Sequence, residues 1–253
     1  MAGGLPEGRG LDLGCGDGLL TRIIVQLVGK RDLVGVDPDP AELAHAHETG
    51  IYSALHEAGG GSVPEPNASF DWVLSNSVLE HIDHLEPVLA EVGRLLRPNG
   101  EFVFTVPGPD FHSCLRGPLL PGASRDAYIR QIDSRLAHRR YWDLTEWRSA
   151  LAVNGMSVMT AVSYFDAAQV RRWESMARVT AGVLYTLGGR RRQPIEIQRR
   201  LGLRKPGRRM PMPLARTLAG LVALGLDHEP ALPVKFGCLL IKAFKGPTAL
   251  GGQ

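Results

Sequence analysis

The sequence predicts an α/β fold: a mostly parallel sheet with helices on both faces. Three observations predict it. Short apolar runs alternate with amphipathic runs through the front half of the chain. A glycine cluster, Gly14-Cys15-Gly16-Asp17-Gly18, stands between the first strand-like run and the first helix-like run. An acidic residue, Asp37, ends the second strand-like run. Strands that alternate with helices imply βαβ units, parallel pairing and right-handed crossovers.

Gly10–Leu13 is short and apolar and runs into the glycine cluster, so it reads as a buried strand and its turn. Leu20, Ile23, Ile24 and Leu27 recur at helical spacing, which predicts a helix over Leu19–Val28, ended by Gly29. Leu33–Val36 is a second strand, stopped by Asp37-Pro38. Pro40–Thr49 is a helix ended by Gly50, and Ser53–Leu55 a short third strand. A loop rich in Gly and Pro, Glu57–Asn67, leads to a fourth strand, Phe70–Leu74. The stripe Leu85, Val88, Leu89, Val92 and Leu96 predicts a helix, and Pro98-Asn99-Gly100 a turn before a fifth strand, Glu101–Val106.

The back half is less regular. Gly108–Arg140 has helical stretches and no sheet pattern. Leu144–Val153 is a helix ended by Asn154-Gly155, with Asp143 or Thr145 as its N-cap. Ser157–Phe165 is a sixth strand and the β-branched run Val234–Phe244 a seventh. A largely helical insertion separates those two strands.

Composition bounds the function classes. The chain has 253 residues, 44% hydrophobic and 22% charged, as expected of an ordinary globular protein. No apolar run is long enough for a spanning helix, and the first ten residues lack the apolar core of a signal peptide. The three cysteines are dispersed, which argues against a disulfide framework or zinc site and suits the cytoplasm. No cluster of His, Asp and Glu at ligand spacing is visible, so no metal is expected.

The net charge of +3 is uneven. Between Gly188 and Met210 nine Lys/Arg face one acid, Glu196, so this segment is basic and the rest of the chain acidic. Leu214–Leu226, which follows, is uncharged except for Arg216. A basic stretch beside an apolar one suits peripheral contact through 188–226 with an anionic membrane, or a phosphate-bearing acceptor. An ordinary solvated arginine face is the alternative. Nucleic acid is disfavoured, because no aromatic residues interleave the arginines as a stacking platform.

The glycine cluster carries the chemistry. Gly14, Gly16 and Gly18 remove Cβ atoms where the backbone must turn sharply and approach a ligand, and the following helix offers its N-terminal N–H groups. A dinucleotide fingerprint would place Gly or Ala at position 19, but Leu19 stands there. That spacing disfavours a nicotinamide oxidoreductase and suits an amino-acid tail rather than a pyrophosphate. Asp37 is placed to accept hydrogen bonds from both hydroxyls of a ribose.

Four segments, LDLGCGDG, LVGVDPDP, FDWVLSNSVLEHI and LLRPNGEFVFTVP, resemble in order and spacing the motifs of class I S-adenosylmethionine-dependent methyltransferases. The likeness is nearest to the broad bacterial group that acts on small molecules, lipids and sugars. It covers roughly 10–106, and again 135–165 and 234–245. The resemblance implies a Rossmann-like, seven-stranded sheet in the order 3-2-1-4-5-7-6. It implies an S-adenosylmethionine-binding domain over 1–165 and 233–246, a lid or acceptor segment over 107–142, and a helical, partly basic insertion over 166–232.

It also implies roles. Asp12, Gly14, Cys15, Gly16 and Gly18 surround the methionine part of the cofactor. Asp37 holds the ribose, Pro38 and Asp39 flank the adenine, and Ser75, Asn76 and Val78 line the other side. Glu57 is the nearest candidate for the acid that meets the adenine amine, although Gly59-Gly60-Gly61 lengthens that loop. Glu80-His81 lies near the cofactor and the substrate mouth, and the stretch His138–Thr145 borders the acceptor pocket.

The expected reaction is methyl transfer, most simply to oxygen, on a small-molecule, glycan or lipid-linked acceptor. A sulfonium methyl is already activated, so positioning supplies most of the acceleration. An alcohol acceptor also needs a base, for which His138 and His81 are the candidates and His112 a weaker one. The competing reading is a binding partner of the same fold without catalysis.

Overall fold

In the computed structural model the described residues are 6–29, 31–119, 121–178, 220 and 234–247. Seven strands form one sheet: β1 (Arg9–Leu13), β2 (Asp32–Asp37), β3 (Ala54–Glu57), β4 (Phe70–Asn76), β5 (Leu96–Pro107), β6 (Met156–Asp166) and β7 (Phe236–Lys245). Their order is β3-β2-β1-β4-β5-β7-β6, as the resemblance implied. The first five strands pair in parallel, and β7 runs antiparallel to β5 from Glu101↔Phe244 to Pro107↔Cys238.

Among the described residues the α-helices are α1 (Leu19–Val28), α2 (Pro40–Glu48), α3 (Glu86–Leu95), α4 (Phe111–Cys114), α5 (Arg125–Leu136), α6 (Leu144–Ala152) and α7 (Ala167–Ala177). Their starts follow local chemistry. Asp39 caps α2 by accepting from Ala41 N–H, with Pro40 at the first helical position. Asp143, not Thr145, caps α6 through a reciprocal capping box with Glu146.

The chain divides into two compact units, 1–109 with 138–163 and 238–253, and 110–137 with 164–237. In the first unit, the alternation of β1, β4 and β5 fills both sheet faces. One cluster joins Leu11, Leu13, Val73, Phe102, Phe104 and the wholly buried Trp147. The other joins Ile24, Leu33, Trp72, Leu74 and Val103. Trp147 is core, and Trp142 packs half-buried against it, ring centroids 4.9 Å apart.

In the second unit the fully buried Glu174 of α7 organises its surroundings. Its carboxylate accepts from Arg116 N–H at 2.7 Å, from the Tyr128 hydroxyl, and from Arg178 at 2.6 Å. Burial raises its pKa, but these three donors outweigh burial and hold the carboxyl below its ordinary range.

One boundary differs from the sequence expectation. β5 begins at Leu96, not Glu101, and includes the expected turn. Leu96 pairs with Phe70, the register then shifts, and Asn99 takes a left-handed φ of 64°. The local turn signal is real, but pairing with β4 before and after it absorbs it into the strand as a bulge. The basic segment 188–210 and the apolar run that follows lie outside the described residues, apart from Gly220.

Candidate active site

In parallel α/β sheets ligands bind beyond the carboxyl ends of the strands, where the strand order reverses. Here that point lies between β1 and β4. The glycine cluster leaves β1 at this place. Gly14 and Cys15 N–H both donate to Val36 O, at 2.9 and 3.0 Å, tying the loop to the end of β2. Gly14, Gly16 and Gly18 all have positive φ, 74°, 52° and 68°. The three do different things. A Cβ on Gly14 would strike the Val78 side chain at 2.6 Å, and one on Gly18 the Tyr52 ring at 2.8 Å. A Cβ on Gly16 would meet nothing closer than Glu42 Oε2 at 4.0 Å. Gly14 and Gly18 therefore serve internal packing, while Gly16 turns bare main chain toward open space.

Asp37 stands beside that opening. Its Oδ2 accepts from Gly16 N–H at 3.0 Å and its Oδ1 from Asp39 N–H at 2.9 Å. Each oxygen keeps acceptor capacity, because a carboxylate has about four lone-pair sites. The carboxylate is thus pinned in orientation before any ligand arrives. Glu57 is the register partner of Asp37 across β2 and β3 and is exposed, so it flanks the same edge. Pro38 is also exposed here.

Asp12 is placed differently from a surface ligand. It is 3% exposed and accepts from the Tyr52 hydroxyl at 2.6 Å and from Thr21. Burial holds its carboxyl above the ordinary range, against the lowering effect of both hydroxyls. Cys15 is buried, and burial with the nearby Asp12 and Asp37 charges raises its thiol pKa, so it packs rather than reacts. On the other wall, Ser75 is fully buried and donates to Leu13 O at 3.1 Å, binding β4 to β1. Asn76 accepts from the Thr105 hydroxyl at 2.7 Å. Val78 faces Gly14.

Just beyond Val78, the chain forms a short 3-10 turn, Leu79–His81. Folding brings His138 to it across 57 residues of sequence. Arg139 N–H donates to Glu80 O at 2.8 Å. The Arg140 guanidinium donates to the carbonyls of Leu79, Ile82 and Asp83. Arg139 also pairs with Asp83 at 3.0 Å. As a result the His81 and His138 rings lie 5.4 Å apart, and His138 Nδ1 is 3.0 Å from the Tyr141 hydroxyl. Glu80 lies beneath them, 1% exposed, and burial pushes its carboxyl up to about 7 against the backbone and Arg140. Glu80, His81 and His138 each offer one ligand-capable atom, all within 4.8 Å of one another. Linear spacing had suggested no such cluster. His112, by contrast, is 2.8 Å from Asp133 within the second unit.

Sequence reasoning singled out most of these residues but missed Tyr52 and Thr21. Neither lies in a motif, and the Tyr52–Asp12 pair exists only once the stretch before β3 is laid over the end of β1.

The loop and its surroundings fit an adenosyl amino acid. Gly16 provides a cradle that a Cβ would fill, and Asp37 provides a fixed pair of acceptors next to it.

Comparison with known proteins finds similar domains. A family model described as a methyltransferase domain matches residues 11–104. The ubiquinone biosynthesis O-methyltransferase of Azorhizobium caulinodans is 33% identical over 96 residues, 36% of this chain and 37% of that protein. The nocamycin O-methyltransferase of Saccharothrix syringae is 36% identical over 125 residues, 46% of this chain and 45% of that protein. The matched stretches thus span less than half of these relatives' own length. Among solved structures, an S-adenosylmethionine-dependent methyltransferase from Mesorhizobium loti superposes with a TM-score of 0.55 at 20% identity. The superposition covers 95% of this chain and 94% of that one.

Proposed function

From the premise that residues 11–104 form a methyltransferase domain of the S-adenosylmethionine-dependent, class I Rossmann-like kind, we propose that the whole chain is an O-methyltransferase acting on a small-molecule, glycan or lipid-linked acceptor. The observation that carries the reading is the opening at Gly16 with the pinned Asp37 carboxylate beside it. The O-methyltransferase names of the relatives support oxygen as the acceptor atom.

S-adenosylmethionine supplies a methyl group already activated on a sulfonium. Asp37 grips the ribose, with Pro38 and Glu57 at the adenine side. Gly14, Cys15, Gly16 and Gly18 form the wall along the amino-acid portion, with Asp12 holding that wall from behind. Ser75, Asn76 and Val78 form the opposite wall. On the acceptor side, His138 or His81 takes the proton of a hydroxyl as its oxygen becomes the nucleophile. The Tyr141 hydroxyl at His138 Nδ1 sets the ring so that Nε2 meets the acceptor.

Among the described residues no helix is long and apolar enough to cross a membrane. The charge of 188–210 supports contact with an anionic surface, or with a phosphate-bearing acceptor, through 188–226. Co-sedimentation with vesicles with and without anionic lipid tests this, and equal recovery in the two sinks it.

The central test is formation of S-adenosylhomocysteine by the full chain with phenol, carboxylate and sugar-alcohol acceptors. With a productive alcohol, His138→Ala lowers kcat by about 10²–10⁴-fold while cofactor affinity stays. No binding of S-adenosylmethionine by calorimetry, or tighter binding of NAD, would overturn the assignment.

A further inference from the structure

Glu80 poses a problem that methyl transfer alone does not solve. It is 1% exposed, and its Oε2 has no hydrogen-bond partner. A buried carboxyl oxygen without a partner is costly, and such atoms in native proteins usually take a proton, a water or an ion. The adjacent cation does not answer the need, because Arg140 donates to the carbonyls of Leu79, Ile82 and Asp83. The other oxygen of Glu80, Oε1, is 4.0 Å from His81 Nε2, and one ligand-capable atom each of Glu80, His81 and His138 lies within 4.8 Å of the others.

We propose that Glu80, His81 and His138 bind a divalent transition-metal cation of the zinc, cobalt or manganese class. Two imidazoles and one carboxylate are a ligand set suited to such ions, and three protein ligands leave a position open. An ion about 2.0–2.2 Å from each ligand sits among atoms roughly 3–4 Å apart. The three atoms, within 4.8 Å of one another, would draw together around the ion. The site is also braced as metal sites are. The Tyr141 hydroxyl lies 3.0 Å from His138 Nδ1, and Arg139 N–H and Arg140 fix the main chain that carries Glu80 and His81.

The site's existence does not depend on methyl transfer; its role rests on that reading. An acceptor hydroxyl in the open position would be acidified by the ion and lose its proton to water, leaving an oxygen anion as nucleophile. With the ion bound, the imidazoles are ligands and the ion replaces His138 or His81 in releasing the acceptor proton, while methyl transfer to the oxygen is unchanged.

The test is a titration of the full chain, stripped with EDTA, with Co²⁺. Visible d–d absorption reports imidazole and carboxylate ligation, and calorimetry with Zn²⁺ reports stoichiometry. The expected result is one ion per chain at micromolar affinity or tighter. His138→Ala and Glu80→Gln each weaken binding by about tenfold or more, in line with loss of one ligand. S-adenosylmethionine affinity serves as the check that each variant is folded, and the half-buried His138 keeps the test valid if Glu80→Gln does not fold. Three results would overturn the proposal: no saturable Co²⁺ binding, binding equal in His138→Ala and the parent, or a sulfur-to-cobalt charge-transfer band marking a cysteine site. Any of these leaves S-adenosylhomocysteine formation untouched. Failure of methyl transfer, conversely, leaves the Co²⁺ spectrum unchanged.

Discussion

The Tyr52 hydroxyl donates a 2.6 Å hydrogen bond to Asp12 Oδ2 across 40 residues of sequence, and the same tyrosine ring packs against Gly18. One side chain therefore holds both the acid that precedes the glycine loop and the glycine that ends it. Tyr52→Phe keeps the ring and removes the donor. We expect a loss of about 1–3 kcal/mol in urea unfolding, because a buried acceptor is left short of a partner. We also expect weaker S-adenosylmethionine binding, measured by calorimetry. Unchanged values of both would show that Thr21 alone suffices for Asp12.

Gly16 and Gly14 differ in what surrounds them, and alanine separates the two. Both positions incur a left-handed backbone penalty of about 1 kcal/mol. Gly14→Ala adds a clash with Val78 and should lower the melting temperature the more. Gly16→Ala adds a methyl group to open space, so it should cost little beyond the backbone term and yet weaken cofactor binding by about tenfold or more. Equal affinity in Gly16→Ala and the parent would show that no ligand approaches there.

Asp37 has each carboxylate oxygen fixed by a backbone N–H. Asp37→Ala should weaken S-adenosylmethionine by about tenfold or more, since a charge-assisted hydrogen bond contributes about 1.5–3 kcal/mol. S-adenosylhomocysteine carries the same ribose and should lose affinity in parallel. If only one of the two weakens, the carboxylate is not a ribose grip.

Glu174 supplies a pH dependence. Its folded-state pKa lies below the usual glutamate value of 4.5, so its stabilising contribution is complete above that value. Acidification protonates the unfolded state first, and the contribution is lost as pH falls through the folded value. Amide exchange in α7 should therefore accelerate on acidification below about pH 4.5, beyond the intrinsic pH dependence. In Glu174→Gln that dependence should flatten. At neutral pH the variant should lose about 2–4 kcal/mol, because Arg178 keeps its place without its countercharge. A variant with the parent's acid profile would place the responsible group elsewhere.

The sheet was largely legible because its signals are local. Periodicity in Leu20, Ile23, Ile24 and Leu27 marks α1, and Asp37-Pro38 marks the end of β2. Gly14, Gly16, Gly18 and Asp37 were legible for the same reason: each sits at a chain position where a motif can be read. The distinct duties of the three glycines were not, since Val78 and Tyr52 decide them from far along the chain. Nor was the Glu80, His81 and His138 cluster, which exists only because 138–142 is laid against 79–83. The extent of β5 was hidden too, because pairing with Phe70 overrides the turn residues at 98–100.

The Arg140 clasp grips carbonyl oxygens, not side chains. The hydrogen bonds themselves ask nothing of the side chains at 79, 82 and 83, for every one of the twenty amino acids offers the same oxygen. What constrains those positions lies elsewhere, in the buried packing of Leu79 and the Arg139–Asp83 pair. The tolerance is one-sided: of the side chains that make this alignment, Arg140 reaches three carbonyls at once, and no other side chain has its reach and fork.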